Sequence, residues 1–207
     1  MSDDSYETLE KPLWVPRPVE ETLQIYADWA ATYNADVTNE GYATPDRIAA
    51  ALALHVSLDA SVLDFGCGTG LSGLALQRAG FSKVDGVDIS PEMLEMAHGT
   101  GAYQKLWQGT PGALSDVTVG DYSAIVAAGV VSLGAAPPET LGLILDYLAP
   151  GGVLALSFND PTLDDGSYDD FLQNQNDKGR CHVVTREHGA HLPGKGMGSD
   201  VLVLKRL

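Results

Sequence analysis

Apolar residues fall in two alternating patterns along most of this chain: stretches of helical period, and short continuous runs. Leu23, Tyr26, Ala27, Ala30 and Tyr33 recur at helical spacing, with Glu20 and Glu21 in the first turn, where the helix dipole favours acid. The spacing predicts an amphipathic helix over 19–35. Thr44 followed by Pro45 marks a cap and a first-turn proline, so a second helix is expected from Thr44 to about Val56. Its run from Ile48 to Leu54 is nearly all apolar, which predicts packing against a sheet. Before these helices, Pro12, Pro16 and Pro18 leave residues 1–18 as an irregular arm.

Short apolar runs then alternate with helical segments. Strands are predicted at Val62–Phe65, Lys83–Asp88, Tyr103–Trp107, Ser123–Ala128 and Gly152–Phe158. Helices are predicted at Leu71–Arg78, from Ser90-Pro91 to about Ala97, and from Pro137 through Leu148. Residues 109–120 are polar and hold at most one helical turn. Alternation of this kind requires right-handed crossovers and a parallel sheet, and the continuous apolar character of the strands fits burial on both faces. In the last third, residues 160–179 are rich in Asp and Asn, and only Tyr168, Phe171 and Leu172 can anchor a short helix. Residues 181–187 and 200–205 read as an antiparallel hairpin at a sheet edge, joined by a flexible glycine loop from His188 to Gly196. No repeat or linker divides the chain. The expected organisation is the arm, then one domain over 19–207 whose helical cap spans about 19–56.

Composition narrows the function. Of 207 residues 44% are hydrophobic, enough for a sizeable core. The formal net charge is −16, and the 12 Lys and Arg residues are scattered. Such a surface repels phosphate, which argues against nucleic acid and anionic lipid as partners. A small molecule, or else a protein, is the expected acceptor if the protein is an enzyme. Cys67 and Cys181 cannot build a disulfide framework. The acidic start lacks the pattern of a secretion signal, and no apolar stretch approaches the length of a bilayer span. A cytoplasmic protein is expected; its oligomeric state is left open.

The most informative segment runs from Val62 to Gly70. A strand ends and the backbone turns tightly into a helix through Gly66, Gly68 and Gly70. Glycines permit positive φ and a close ligand, and the free N–H groups of such a turn suit an anionic or hydrogen-bond-accepting ligand. Asp88 ends the next strand, where a carboxylate can accept from both hydroxyls of a ribose. Gly68, Gly70 and Gly73 also satisfy the G-x-G-x-x-G dinucleotide pattern, with Asp88 at the expected distance. Asp64 weighs against a dinucleotide, since a carboxylate there suits a cationic amino group and repels a pyrophosphate. The chain has no Tyr-x-x-x-Lys pair and no second domain for a hydride acceptor.

The stretch from Asp64 to Gly70 resembles the first motif of class I S-adenosylmethionine-dependent methyltransferases. Val87–Leu94 resembles their second motif, and Leu148–Gly152 the turn before their fifth strand. Tyr26–Tyr33 resembles the helix that closes over the donor. Taken with Gly41–Pro45, it is similar to the methyltransferase-like proteins named for the Williams–Beuren chromosomal region. The resemblance covers about residues 20–207. It implies a Rossmann-like α/β fold: a seven-stranded, mostly parallel sheet with its last strand inserted antiparallel and helices on both faces.

Family roles then follow by position. Asp64, Gly66 and Gly68 surround the methionine part of S-adenosylmethionine, and Cys67 and Thr69 contribute mainly backbone. Asp88 holds the ribose, while Ile89 and Met93 flank the adenine. Thr110 stands where relatives often carry an aspartate on the adenine amine, and it is a weaker acceptor. Ala127 and Ala128 offer main chain to the methionine end. Tyr33 is a donor contact or packs its helix; Trp29 packs; Met93 and Met96 are candidate core residues. The acceptor is expected over the strand ends, bounded by Tyr33, Tyr42, Gly129 to Ser132, Asn159 and Tyr168. His182, His188 and His191 read as parts of a solvated loop, and the paired aspartates 164–165 and 169–170 as a solvated face. No metal site and no catalytic residue is assigned. Two other functions stay open: a non-catalytic binder of S-adenosylmethionine or S-adenosylhomocysteine, and a nicotinamide-dependent oxidoreductase.

Overall fold

The structure, a computed structural model, describes residues 13–207; most of the expected arm, residues 1–12, lies outside them. Helix α1 (Val19–Asn39) and helix α2 (Thr44–Ala53) precede the sheet. The alternating region follows as β1 (Ser61–Phe65), α3 (Leu71–Arg78), β2 (Lys83–Asp88), α4 (Pro91–His98), β3 (Leu106–Gln108), β4 (Ala124–Ala127), α5 (Glu139–Tyr147) and β5 (Val153–Asn159). The chain closes with α6 (Asp160–Asp165), α7 (Ser167–Asp177), β6 (Cys181–Leu192), a single 3-10 turn (Pro193–Lys195) and β7 (Met197–Arg206). The seven strands lie in the order β3-β2-β1-β4-β5-β7-β6. Strands β1 to β5 pair in parallel, and β7 runs antiparallel to both β5 and β6. The expected seven-stranded sheet, with its last strand inserted antiparallel, is what forms.

Alternate strand residues feed two cores, because successive side chains point to opposite faces. Leu63, Ile125, Leu154 and Leu156 pack with Ile144 and Leu145 of α5 on one face. Val62, Val126 and Val203 pack with Ile48 and Leu52 of α2 and Leu76 of α3 on the other. All seven residues of β5 are buried. That is why the strands read as continuous apolar runs rather than alternating ones.

Several boundaries differ from expectation, each for a tertiary reason. Helix α1 continues past residue 35 because Asp36 is buried and useful there. Its carboxylate accepts from Trp29 Nε1 at 2.7 Å and from Thr32 Oγ1 at 2.9 Å, and Val37 packs beside Trp29. Helix α2 stops at Ala53, short of Val56. Strand β3 keeps only Leu106–Gln108, since Tyr103 turns away to fill a slot described below. The Asp- and Asn-rich stretch forms two helices rather than one. Asn159 caps the first through its contact with the Thr162 N–H, and Gly166, at φ 78°, divides them. Met96 is 39% exposed and lies outside the core.

The largest departure is the C-terminal hairpin. Most of the expected glycine loop is strand, and only the turn at 193–195 interrupts it. Polar cross-links supply what local propensity lacks. Arg47 donates to the carbonyls of Glu187, Ala190 and Ser199. Asp200 accepts from Arg186 at 2.5 Å and pairs with His188 Nδ1 at 2.9 Å, and Asp169 receives the other face of the Arg186 guanidinium. His191 is therefore not solvated as its glycine-rich surroundings implied. It is 7% exposed, its Nδ1 lies 2.8 Å from Thr44 Oγ1, and Tyr42 meets the ring edge-on.

Burial pushes the imidazole of His191 down to about 4, with Asp160 opposing and Arg47 assisting. The unfolded chain binds a proton near pH 6.5, so it takes up protons before the folded protein does, and stability falls as pH drops through that window. Wild type should lose about 2 kcal/mol between pH 7 and pH 5 relative to His191→Gln. Paired urea melts at the two pH values check this; equal losses in both proteins would remove the assignment.

Candidate nucleoside-binding site at the strand ends

The chain leaves β1 through three left-handed glycines, Gly66 at φ 68°, Gly68 at 53° and Gly70 at 94°. Side-chain-bearing residues are strained in that region, so the turn needs glycine. The N–H groups of Gly66 and Cys67 both donate to the Val87 carbonyl, at 2.8 and 3.0 Å, which ties the turn to the end of β2. A Cβ on Gly66 would collide with the Val130 side chain, whereas one on Gly68 would meet nothing within 4 Å. The first glycine makes room for the protein's own packing, and the second leaves open space in front of the turn.

Two carboxylates flank this turn. Asp88 accepts from the Gly68 N–H through Oδ2 at 2.8 Å and from the Ser90 N–H through Oδ1 at 2.9 Å. Each oxygen keeps lone-pair capacity for a further donor. Burial raises its pKa, and the backbone donors oppose that shift. Asp64 is wholly buried. Its Oδ2 accepts from Ser72 Oγ at 2.5 Å and from the Tyr103 hydroxyl at 2.7 Å, while its Oδ1 is buried with no partner. Burial lifts this carboxyl to about 6, with the Ser72 and Tyr103 bonds pulling it back and Asp88 adding to the rise.

A cavity of about 690 Å³ opens over these strand ends. Gly66, Gly68, Asp88, Ile89, Met93 and Thr110 line one half, with Tyr33 and Ala128 beside them. The other half is mostly apolar, built from Val19, Leu23, Leu133, Ala136, Pro137 and Tyr168. Two hydroxyls there are occupied: Thr22 donates to the Gly134 carbonyl and Tyr168 to the Ala136 carbonyl. Burial holds the phenols of Tyr26 and Tyr33 above their ordinary range, and Tyr168 at about 12. All three phenols keep their protons near neutral pH.

Of the residues singled out from sequence, Tyr33, Gly66, Gly68, Asp88, Ile89, Met93, Thr110 and Ala128 share this cavity. Three lie behind its wall. Asp64 sits beneath the turn, Cys67 packs with Leu94 and Ala97, and Thr69 donates to Asn34 of α1. At the acceptor end Gly129, Val130 and Tyr168 line the cavity, but Tyr42, Val131, Ser132 and Asn159 do not. Tyr42 is held against His191, and Asn159 is spent on capping α6. Sequence reading missed Pro16, Arg17, Val19 and Leu23 on the cavity wall, and Ser72 and Tyr103 on Asp64. The proline-rich composition pointed to an arm, but nothing local showed where it docks. Among the described residues, no group of three His, Cys, Asp or Glu side chains could hold a metal, and no helix is long and apolar enough to cross a membrane.

Fold and turn together define a Rossmann-like domain, with one carboxylate at the end of β2 and a second beneath the turn. The chain belongs to the methyltransferase domain family, whose model matches residues 36–193. It is 35% identical over 144 residues to human methyltransferase-like protein 27, covering 66% of this chain and 57% of that protein. It is 30% identical over 173 residues to the ribosomal protein L11 methyltransferase of Aeromonas salmonicida, covering 73% of this chain and 58% of that one. The chain thus spans little more than half the length of these curated relatives. Among solved structures, a possible histamine N-methyltransferase from Thermotoga maritima superimposes with a TM-score of 0.64 at 15% identity, covering 90% of this chain and all of that one. The [4+2]-cyclase SpnF superimposes with a TM-score of 0.69 at 16% identity, covering 93% and 97%. The family's cofactor is S-adenosylmethionine. The residues present fit it: open space before Gly68, a carboxylate with spare capacity at Asp88, and a second carboxylate, Asp64, buried beneath the turn.

The raised Asp64 pKa sets a second pH dependence, opposite in sign to that of His191. Between 3.8 and about 6 the folded protein holds a proton the unfolded chain has released, so this group's contribution to stability declines as pH rises. Without ligand, Asp64→Asn should gain about 2 kcal/mol on wild type between pH 4.5 and pH 7. Chemical denaturation at both pH values measures it; a constant difference would show that the carboxyl titrates normally.

Proposed function

We propose that this protein is a methyltransferase that moves a methyl group from S-adenosylmethionine to a small, largely apolar molecule. The single observation that supports it is the shared cavity, which joins the glycine turn and Asp88 to an apolar chamber over the strand ends. In this reading Asp88 accepts from the ribose hydroxyls, and Ile89 and Met93 hold the adenine between them. Thr110 faces its amine, and Ala128 and the turn backbone face the methionine part. Gly66 and Gly68 let the backbone approach closely, with Cys67 and Thr69 serving through main chain alone. Tyr33 closes the side. Asp64, beneath the turn, favours the α-ammonium through its charge.

S-adenosylmethionine supplies a methyl group on a sulfonium, open to in-line displacement. The chain's own task is then orientation and the exclusion of water. Leu133, Val130 and Tyr168 shape the chamber that holds the acceptor against Gly129, and Val19 and Leu23 cover it. Tyr26 and Tyr33, kept protonated by burial, orient rather than deprotonate. The enclosed apolar walls favour a small acceptor over a protein side chain, and the net charge of −16 disfavours nucleic acid. Two buried, unpaired cysteines fit a reducing cytoplasm.

One observation supports a second reading, a binder or catalyst that transfers no methyl: the same fold serves the cyclase SpnF. Calorimetry with S-adenosylhomocysteine and with NAD tests the donor half. The former should bind and the latter should not, and Asp88→Ala should weaken binding by ~1–3 kcal/mol. Tight binding of NAD alone would overturn the reading. For the acceptor half, Leu133→Trp should fill the chamber, leaving S-adenosylhomocysteine affinity intact while abolishing labelled methyl transfer to a panel of small apolar thiols, phenols and amines. If wild type methylates none of that panel yet binds the nucleoside, the second reading stands.

A further inference from the structure

Tyr103 is nowhere near the turn in sequence, yet it is built into it. A Cβ on Gly73 would fall on the Tyr103 ring and hydroxyl, and one on Gly86 would come within 2.9 Å of the same ring. Neither glycine has a positive φ, so backbone conformation does not require them. What they share is a slot for this side chain. At its end the Tyr103 hydroxyl accepts the Gly73 N–H at 3.1 Å and donates to Asp64 Oδ2 at 2.7 Å. Ser72 donates to the same oxygen. Both donors therefore converge on Oδ2 and leave Oδ1 buried and unpartnered.

A buried carboxylate oxygen without a donor costs free energy in the empty protein, and hydrogen bonds are normally made wherever they can be. Here the protein contributes two hydroxyls to one oxygen and none to the other. That asymmetry fixes the plane of the carboxylate beneath the turn. Gly73 also gains a meaning different from its place in the dinucleotide pattern: it admits the Tyr103 ring rather than a pyrophosphate.

We propose that Tyr103 is a positioning residue that, with Ser72, fixes Asp64 beneath the glycine turn, so that its charge favours the α-ammonium of the methionine moiety from behind the cavity wall. This rests on the donor-site reading above. The hydroxyl acts through Asp64 and touches no part of the nucleoside. Its removal should therefore weaken ligands that carry the amino acid and spare those that lack it.

The test compares S-adenosylhomocysteine with 5′-methylthioadenosine, which keeps the adenosine and thioether but has no amino acid. In Tyr103→Phe the ring still fills the slot. Affinity for S-adenosylhomocysteine should fall about tenfold, the scale of one hydrogen bond to a charged group, while affinity for methylthioadenosine stays within about twofold of wild type. The acid limb of S-adenosylhomocysteine binding should also move to higher pH, because a donor that favoured the ionised carboxylate is gone. Ser72→Ala, which leaves the ring untouched, should show the same selective loss and provides the test if Tyr103→Phe fails to fold. In an Asp64→Asn background, Tyr103→Phe should leave the ratio of the two affinities unchanged. A parallel loss for both ligands would mean a merely structural role and overturn the proposal, as would an unaltered affinity for S-adenosylhomocysteine. If Asp64→Asn itself leaves the ratio as in wild type, the charge of Asp64 does not favour the ammonium and the proposal fails at that step. A wild type that binds neither nucleoside overturns the donor-site reading instead, and this proposal with it.

Discussion

An ionised carboxylate buried at the end of β1 is the constraint around which much of the molecule is arranged. Asp64 has no solvent contact, and burial alone would keep it protonated near neutrality. The structure opposes this with two hydroxyls on one oxygen, and each has consequences elsewhere. Ser72 must begin α3 at the correct phase. Tyr103 must leave β3 early, which shortens that strand, and must cross two glycines to arrive. The second oxygen is left without a donor.

The two halves of the cavity are built differently. The donor half rests on the ends of β1 and β2 and on the first turn of α4, elements fixed by the two cores. The acceptor half rests on the segment after β4, on α7 and on the start of the chain. There Gly134 lies so close to the Leu13 backbone that any side chain would force them apart. One side of the cavity thus rests on rigid elements and the other on connecting segments.

The C-terminal hairpin shows how polar cross-links replace propensity. Strand β6 carries a glycine, three histidines and an arginine, a poor composition for a sheet. Arg47 and Asp200 hold the hairpin by bridging to backbone and side chains from α2 to β6 and β7. The cost is a neutral buried histidine at position 191. Its pH dependence runs against that of Asp64, so the two partly cancel in mildly acidic solution.

The sequence by itself determined the βαβ alternation, the glycine turn, the acid at Asp88 and the seven-stranded class of fold. These signals are local. Burial on both faces writes continuous apolar runs, positive φ demands glycine, and a carboxylate at a strand end follows from the position of the turn. Helix α3 and strand β2 were legible to the residue for that reason. Only the tertiary structure decided that Tyr103 and Ser72 orient Asp64, that Thr69 is tied to Asn34, that residues 16–23 wall the cavity, and that a glycine-rich loop becomes strand. Each of those outcomes joins positions that the strand order brings together. A side chain's partner across such a distance is set by which strands are neighbours, and that order is written in the packing of the whole sheet rather than in any segment of the chain.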